Sequence, residues 1–210
     1  MQTPSEIVDA LVEPIFKAPK TGIRKVVALA GPPASGKSTI AEALAERLSQ
    51  AGCKSAVVPM DGFHLDNQIL IEKGLLERKG APETFDAEGF LRLIQSLTTT
   101  ETAYYPVFDR TRDIAIAGAG QVGPDCECVV VEGNYLLFDA PIWRGLNALW
   151  DFSVRLDVPS AVLRQRLIDR WLAHGMSKDQ ATARAEGNDL SNAKLVETLS
   201  LPADFTVPAS

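Results

Sequence analysis

The sequence predicts an α/β fold, a parallel sheet covered by helices on both faces, and three observations predict it. Short continuous apolar runs recur along the chain, as in strands buried on both sides. A glycine-rich turn joins the first such run to an amphipathic helix. Strand and helix patterns then alternate to the C-terminal end.

The elements follow in order. Thr3-Pro4-Ser5-Glu6 is a capping box with proline at the first helical position. Ile7, Leu11 and Ile15 repeat every four residues, so a helix is expected up to Phe16. Val26 to Ala30 is the first apolar strand, and Ile40, Leu44 and Leu48 mark a helix ending at Gly52. Ser55 to Pro59 is a second strand that delivers Asp61. Leu65 to Lys79 is helical or irregular, and Asp86 is placed to cap a helix carrying Phe90, Leu93, Ile94 and Leu97. Tyr104 to Val122 suggests short strands and turns. Cys128 to Val131 and Phe152 to Leu156 are a third and a fourth buried strand. Pro159 opens a helix with Leu163, Leu167 and Trp171 in register. A polar helical stretch from Ser177 to Leu199 follows, and Phe205 to Val207 is a candidate fifth strand.

Bulk properties narrow the function. At 210 residues with 46% hydrophobic content, one globular domain spanning 1–210 is expected. The formal net charge of −6 gives no global basic field for nucleic acid or a membrane surface. Cys53, Cys126 and Cys128 read as reduced core thiols, and His64 and His174 offer no metal-ligand spacing. No signal-peptide pattern and no membrane-length apolar run occur, so a cytoplasmic location is expected.

Gly31-Pro32-Pro33-Ala34-Ser35-Gly36-Lys37-Ser38, followed by Thr39, fits the P-loop pattern G-x-x-x-x-G-K-[ST]. Its setting between a buried strand and a helix is the one its chemistry needs. Glycines let backbone N–H groups turn inward around phosphate oxygens. The helix N-terminus adds partial positive charge. Lys37 can reach the β- and γ-phosphates, and Ser38 can hold Mg²⁺. Such a loop serves kinases, GTPases, motors and transport ATPases alike, so the remaining residues must discriminate.

Asp61 follows the second strand, on the sheet edge that also carries the P-loop. It can accept a proton from an attacking hydroxyl, hold Mg²⁺, or simply turn the chain before Gly62. Glu132 ends an apolar strand and can act through a metal-bound water, on the acceptor, or as a strand-end cap. Arg166 and Arg170 lie one turn apart on a helix, where they suit either a closing lid or a solvated face. Asp109 and Arg110 can meet an acceptor or pair with each other to shape a loop.

Taken together, GPPASGKST, PMDGFHLDN, RKGAPETFD, PVFDR and VVVEGNYLL resemble the P-loop small-molecule kinases that include uridine kinase, pantothenate kinase and phosphoribulokinase. The resemblance runs from about Val26 to Val207. The compact size, the DGFH run and the Asp189 to Asn192 segment are similar to a branch labelled nucleoside/nucleotide kinase-like or fructose transport system kinase. The resemblance implies a P-loop NTPase three-layer sandwich, with a five-stranded parallel sheet and a small helical lid at about 164–190. It implies ATP and Mg²⁺ as cofactors, Asp61 as general base, Arg166 and Arg170 as lid arginines, and Asn192 near the adenine. The phosphoribulokinase resemblance puts His64 on an acceptor hydroxyl. Phe108 and Arg110 stand where the pantothenate and uridine kinases usually carry tyrosine and histidine or an aromatic residue. Neither substrate therefore transfers simply.

The expected partner is a small-molecule acceptor, with no nucleic acid, no membrane and a possible homodimer. A sugar fits Asp109, Arg110 and His64. A nucleoside would need Phe108 or Tyr105 for stacking, and pantothenate would need Arg110. A regulatory nucleotide switch and a transport ATPase subunit are the rivals. The chain lacks the N-K-x-D stretch of a GTP switch and the signature helix motif of a transport ATPase.

Overall fold

The computed structural model describes residues 3–208. Helix α1 (Pro4–Lys17) starts at the Thr3–Glu6 capping box, whose two reciprocal bonds satisfy N–H groups the first turn would leave orphaned. It ends where Lys25 Nζ donates to the Ala18 carbonyl at 2.7 Å. Strand β1 (Lys25–Ala30) then runs through the centre of the molecule.

Five parallel strands form the sheet. They are β1, β2 (Ser55–Pro59), β5 (Cys128–Gly133), β6 (Phe152–Leu156) and β7 (Phe205–Val207), in the order β2-β5-β1-β6-β7. Side chains alternate across a strand, so each strand feeds two cores. Val26 and Ala28 point into one, with α4 (Ala87–Thr99) supplying Phe90, Ile94 and Leu97. Val27 and Leu29 point into the other, with α1 supplying Leu11 and Ile15 and α2 (Lys37–Gln50) supplying Leu44 and Leu48. The result is a three-layer sandwich, the fold class expected. Strand order reverses across β1, so a crevice opens beyond its C-terminal end, where open α/β sheets bind ligands.

Two additions complete the frame. Strands β3 (Ala103–Asp109) and β4 (Ile114–Val122) form an antiparallel hairpin with an irregularity between Tyr105 and Val107. Pro106 sits at that break, and proline has no N–H to give a ladder. The helical segment comprises α5 (Ser160–Ala173), α6 (Lys178–Arg184) and α7 (Leu190–Thr198). The polar helical stretch expected from Ser177 to Leu199 is formed by α6 and α7 joined by a π-helical turn, Ala185–Asp189. Wide turns of this kind collect at functional sites, and this one carries the buried Asn188 and Asp189. The short α3 (Asn67–Glu72) and a 3-10 turn at Trp143–Leu149 fill the remaining connections. No helix among the described residues is long and apolar enough to cross a membrane.

Candidate active site

The P-loop leaves β1 at the middle of the sheet edge. A Cβ at Gly31 would lie 2.6 Å from Ser35 Oγ, so any larger residue there would force that hydroxyl to move. Gly36 has φ +90°, and Ala34 also sits left-handed at φ +63°. A non-glycine residue in that region stores about 1–2 kcal/mol of strain. The loop thus holds its curl before any phosphate arrives. Arg166 on α5 donates to the carbonyls of Ala34 and Ser35 at 3.2 and 3.3 Å. Its guanidinium clamps the loop from the lid side.

Two clefts meet at this loop. The first, about 550 Å³, is lined by Pro33, Lys37, Asp61, His64, Phe108, Arg110, Arg170 and Asn192, among others. The second, about 720 Å³, opens between Gly31-Pro32, the Asp157–Ser160 turn and the Leu190, Ser191 and Lys194 face of α7.

In the first cleft the charges act on one another. Burial lowers the Lys37 pKa, while the carboxylates of Glu132 and Asp61 oppose that shift. Burial raises the pKa of Glu132, with the Lys37 charge and a Ser38 hydrogen bond working against it. Glu132 Oε2 is buried without a protein partner. Burial likewise lowers the Arg170 pKa, opposed by Asp189.

Asp61 lies in a 3-10 turn, Met60–Phe63, directly after β2. Its Oδ2 accepts from Arg110 at 2.7 Å. The turn and the β3–β4 hairpin touch closely enough that Gly62 is obligatory, since a Cβ there would sit 1.9 Å from the Pro106 carbonyl oxygen. The Asp61 carbonyl lies 2.8 Å from His64 Nδ1. A carbonyl only accepts, so Nδ1 carries the proton and Nε2 is left as an acceptor. The ring packs against both Phe85 and Phe108 in tilted contacts, with centroids at 4.0 and 4.7 Å. Burial depresses its pKa, so the imidazole is neutral at pH 7.

Three of the expected roles find unexpected surroundings. Asp109 and Arg110 do not pair with each other. Asp109 accepts from Arg112 Nε at 2.7 Å and from the N–H groups of Thr111 and Arg112, which caps the hairpin turn and keeps it off the cleft lining. Asn192 lines the first cleft and donates to Asn188 Oδ1 at 3.4 Å, whereas Ser191 and Lys194 face the second. Successive residues on a helix diverge by about 100°, so the Asp189 to Asn192 segment serves both clefts. Thr39 is exposed on the first turn of α2.

Several cleft residues were not singled out from the sequence. Lys79 Nζ pairs with Asp113 at 2.8 Å, donates to Asn67 Oδ1 at 2.7 Å, and lies 5.0 Å from the Phe108 centroid. Burial opposes ionisation of Asp113, but the bonds from Lys79 and Asn67 prevail and hold its pKa below the ordinary value. Arg170 and Arg184 both lie 5.3 Å from the Trp171 ring, whose Nε1 donates to Asp189 at 2.6 Å. Lys79 and Asn67 had a visible signal in the RKGAPETFD and PMDGFHLDN segments, and Asp189 in the Asp189 to Asn192 segment.

Comparison with known proteins shows the family. Residues 26–186 match the family model described as "Phosphoribulokinase / Uridine kinase family". The chain belongs to that family. A crystal structure described as a "putative fructose transport system kinase" from Silicibacter sp. TM1040 superposes with a TM-score of 0.92 at 55% identity, covering 99% of this chain and 100% of that one. YggC of Escherichia coli, an uncharacterized protein, is 35% identical over 88% of this chain and 77% of its own length. The "putative uridine kinase C227.14" of Schizosaccharomyces pombe is 33% identical over 88% of this chain and 83% of its own. Family membership makes the chain a P-loop kinase and implies ATP as its nucleotide.

Proposed function

We propose that this chain transfers the γ-phosphoryl group of Mg-ATP to a hydroxyl of a small metabolite, with a sugar as the favoured acceptor class. One observation carries the reading: Asp61 and Lys37 line the same cleft, with the P-loop at its floor. A carboxylate on one side and a phosphate cradle on the other leave room for an alcohol between them.

In the proposed transfer, Asp61 takes the proton of the attacking hydroxyl. The acceptor oxygen forms a bond to the γ-phosphorus as the bond to the β-bridging oxygen breaks, and ADP departs with that oxygen. Lys37 and Arg170 stabilise charge on the moving group, while Arg166 keeps the loop in shape. Positioning and electrostatics supply nearly all of the rate. A divalent cation suits the floor of the site, because a buried Glu132 oxygen without a partner sits beside the Ser38 hydroxyl. Ser38 would hold it directly and Glu132 through water, and it would neutralise charge on the β- and γ-phosphoryl oxygens.

The acceptor wall favours a polyol over a nucleoside. Phe108 is already covered by His64 and Lys79, so its face is not an open stacking platform. His64, Asn67 and Arg110 instead present hydrogen-bonding groups to the cleft. The test is an ADP-release screen with Mg-ATP across sugars and their derivatives, nucleosides and pantothenate. Turnover with a member of the sugar class is expected. Turnover confined to nucleosides or pantothenate would move the acceptor class, and nucleotide binding without turnover on any alcohol would replace the kinase reading with that of a switch.

A further inference from the structure

The carboxylate offered as base is not free. Arg110 occupies its Oδ2 at 2.7 Å, so one of the two oxygens that could receive the hydroxyl proton already accepts a charged hydrogen bond. Asp109, its neighbour in sequence, does not compete for Arg110, being taken by Arg112 and two backbone N–H groups. The Arg110 side chain is 58% exposed, against 22% for Asp61, so the guanidinium can swing outward without repacking the core.

A second cation waits at the same end of the cleft. Arg184 lies against Trp171 and donates to the Glu77 carbonyl oxygen at 3.2 Å. No carboxylate lies within ion-pair distance of it among the described residues. Arg110, Arg170 and Arg184 all line this cleft, and both Arg110 and Arg184 act electrostatically on Arg170. The other acceptor-side cation, Lys79, is already matched by Asp113.

We propose that the acceptor carries an anionic group, a carboxylate or a phosphate, besides the hydroxyl it presents, and that Arg110 and Arg184 bind that group, Arg110 leaving Asp61 as it does so. This rests on the kinase reading above. A neutral sugar offers Arg110 only uncharged hydroxyl oxygens, which lack the negative charge of the carboxylate they would have to replace. An anion replaces one charged partner with another and leaves Asp61 open to the hydroxyl proton. Substrate choice and exposure of the base are then one event, and Arg110 is a specificity-determining residue.

Matched pairs test this: glucose against gluconate and fructose against fructose 6-phosphate, by ADP release with saturating Mg-ATP. The full chain is compared with Arg110→Gln, Arg110→Lys and Arg184→Gln, each first shown to keep wild-type ATP affinity. The wild type is expected to favour the anionic member of at least one pair by about 10⁴-fold in kcat/KM, the scale at which a site built around a polar group rejects an analogue lacking it. The responding pair tells carboxylate from phosphate. In Arg110→Gln that ratio falls at least about tenfold, Arg110→Lys restores part of it, and Arg184→Gln raises KM for the anionic member more than it lowers kcat. Neutral sugars used as well as their anionic partners, or a ratio unchanged in Arg110→Gln, would overturn the proposal and leave the kinase reading standing. No turnover on either member of either pair, with ATP still bound, would overturn the proposal, and the broader acceptor screen then decides the kinase reading separately.

Discussion

The donor and acceptor sides of the cleft are built in opposite ways. The donor side is mostly backbone: a left-handed Ala34, a left-handed Gly36 and a helix start, all within one eight-residue segment. The acceptor side is mostly side chains in pairs, and the partners come from far apart in sequence. Arg110 and Asp61 are 49 positions apart, and Arg184 reaches Glu77 across 107. A backbone cradle recognises any nucleotide triphosphate, because every such ligand presents the same oxygens. Paired side chains can be exchanged without disturbing the sheet, so acceptor choice is free to vary on a constant frame.

If that division holds, a change on the donor side should remove chemistry for every acceptor. Lys37→Ala is expected to lower turnover by about 10³-fold regardless of the alcohol supplied, the scale for losing a preorganised charge stabiliser. It also removes the counter-charge that opposes the burial-raised pKa of Glu132. A carboxyl whose folded pKa lies above its ordinary value of 4.5 contributes fully below that pH and loses its contribution as pH rises through the folded value. Denaturant titrations should therefore show the stability deficit of Lys37→Ala growing from pH 5 to pH 8.

The contact between the two sides is tested by Gly62→Ala. The new methyl would meet backbone 1.9 Å away, and backbone cannot yield as a flexible side chain can. A loss of about 1–3 kcal/mol is expected from chemical denaturation, with activity falling as the hairpin that carries Arg110 is pushed off Asp61. Wild-type stability in this variant would mean that the turn and the hairpin do not touch as described.

A subtler effect belongs to His64. Burial holds its folded pKa below the ordinary 6.5, so its neutral form contributes fully above about pH 6.5. That contribution is lost as pH falls through the depressed value. His64→Phe should flatten the stability profile on the acid side of pH 6.5, as read by thermal melts across pH. Smallest of all is Ala34→Gly, which relieves the left-handed strain and should raise stability by up to about 1 kcal/mol. Lower stability there would mean that the donor loop gains nothing from being released.

The same division explains what was legible in the sequence. The five strands and the P-loop follow from local pattern, because apolar runs and a glycine spacing are contiguous signals. Asp61 was readable because a strand end must fall on the phosphate edge. The partner of Asp61 was not, since nothing local distinguishes Arg110 paired with Asp109 from Arg110 paired across the cleft. The π turn before α7 was equally hidden, because it shifts helix register without changing composition.

Asp61→Asn offers the most direct test, with ATP affinity and acceptor-dependent turnover measured on the same preparation. Unchanged ATP affinity is expected beside turnover reduced by about 10²-fold or more, the scale for a general base. Turnover at the wild-type level would show that the proton leaves by another route, and the carboxylate facing Lys37 would then not be the base.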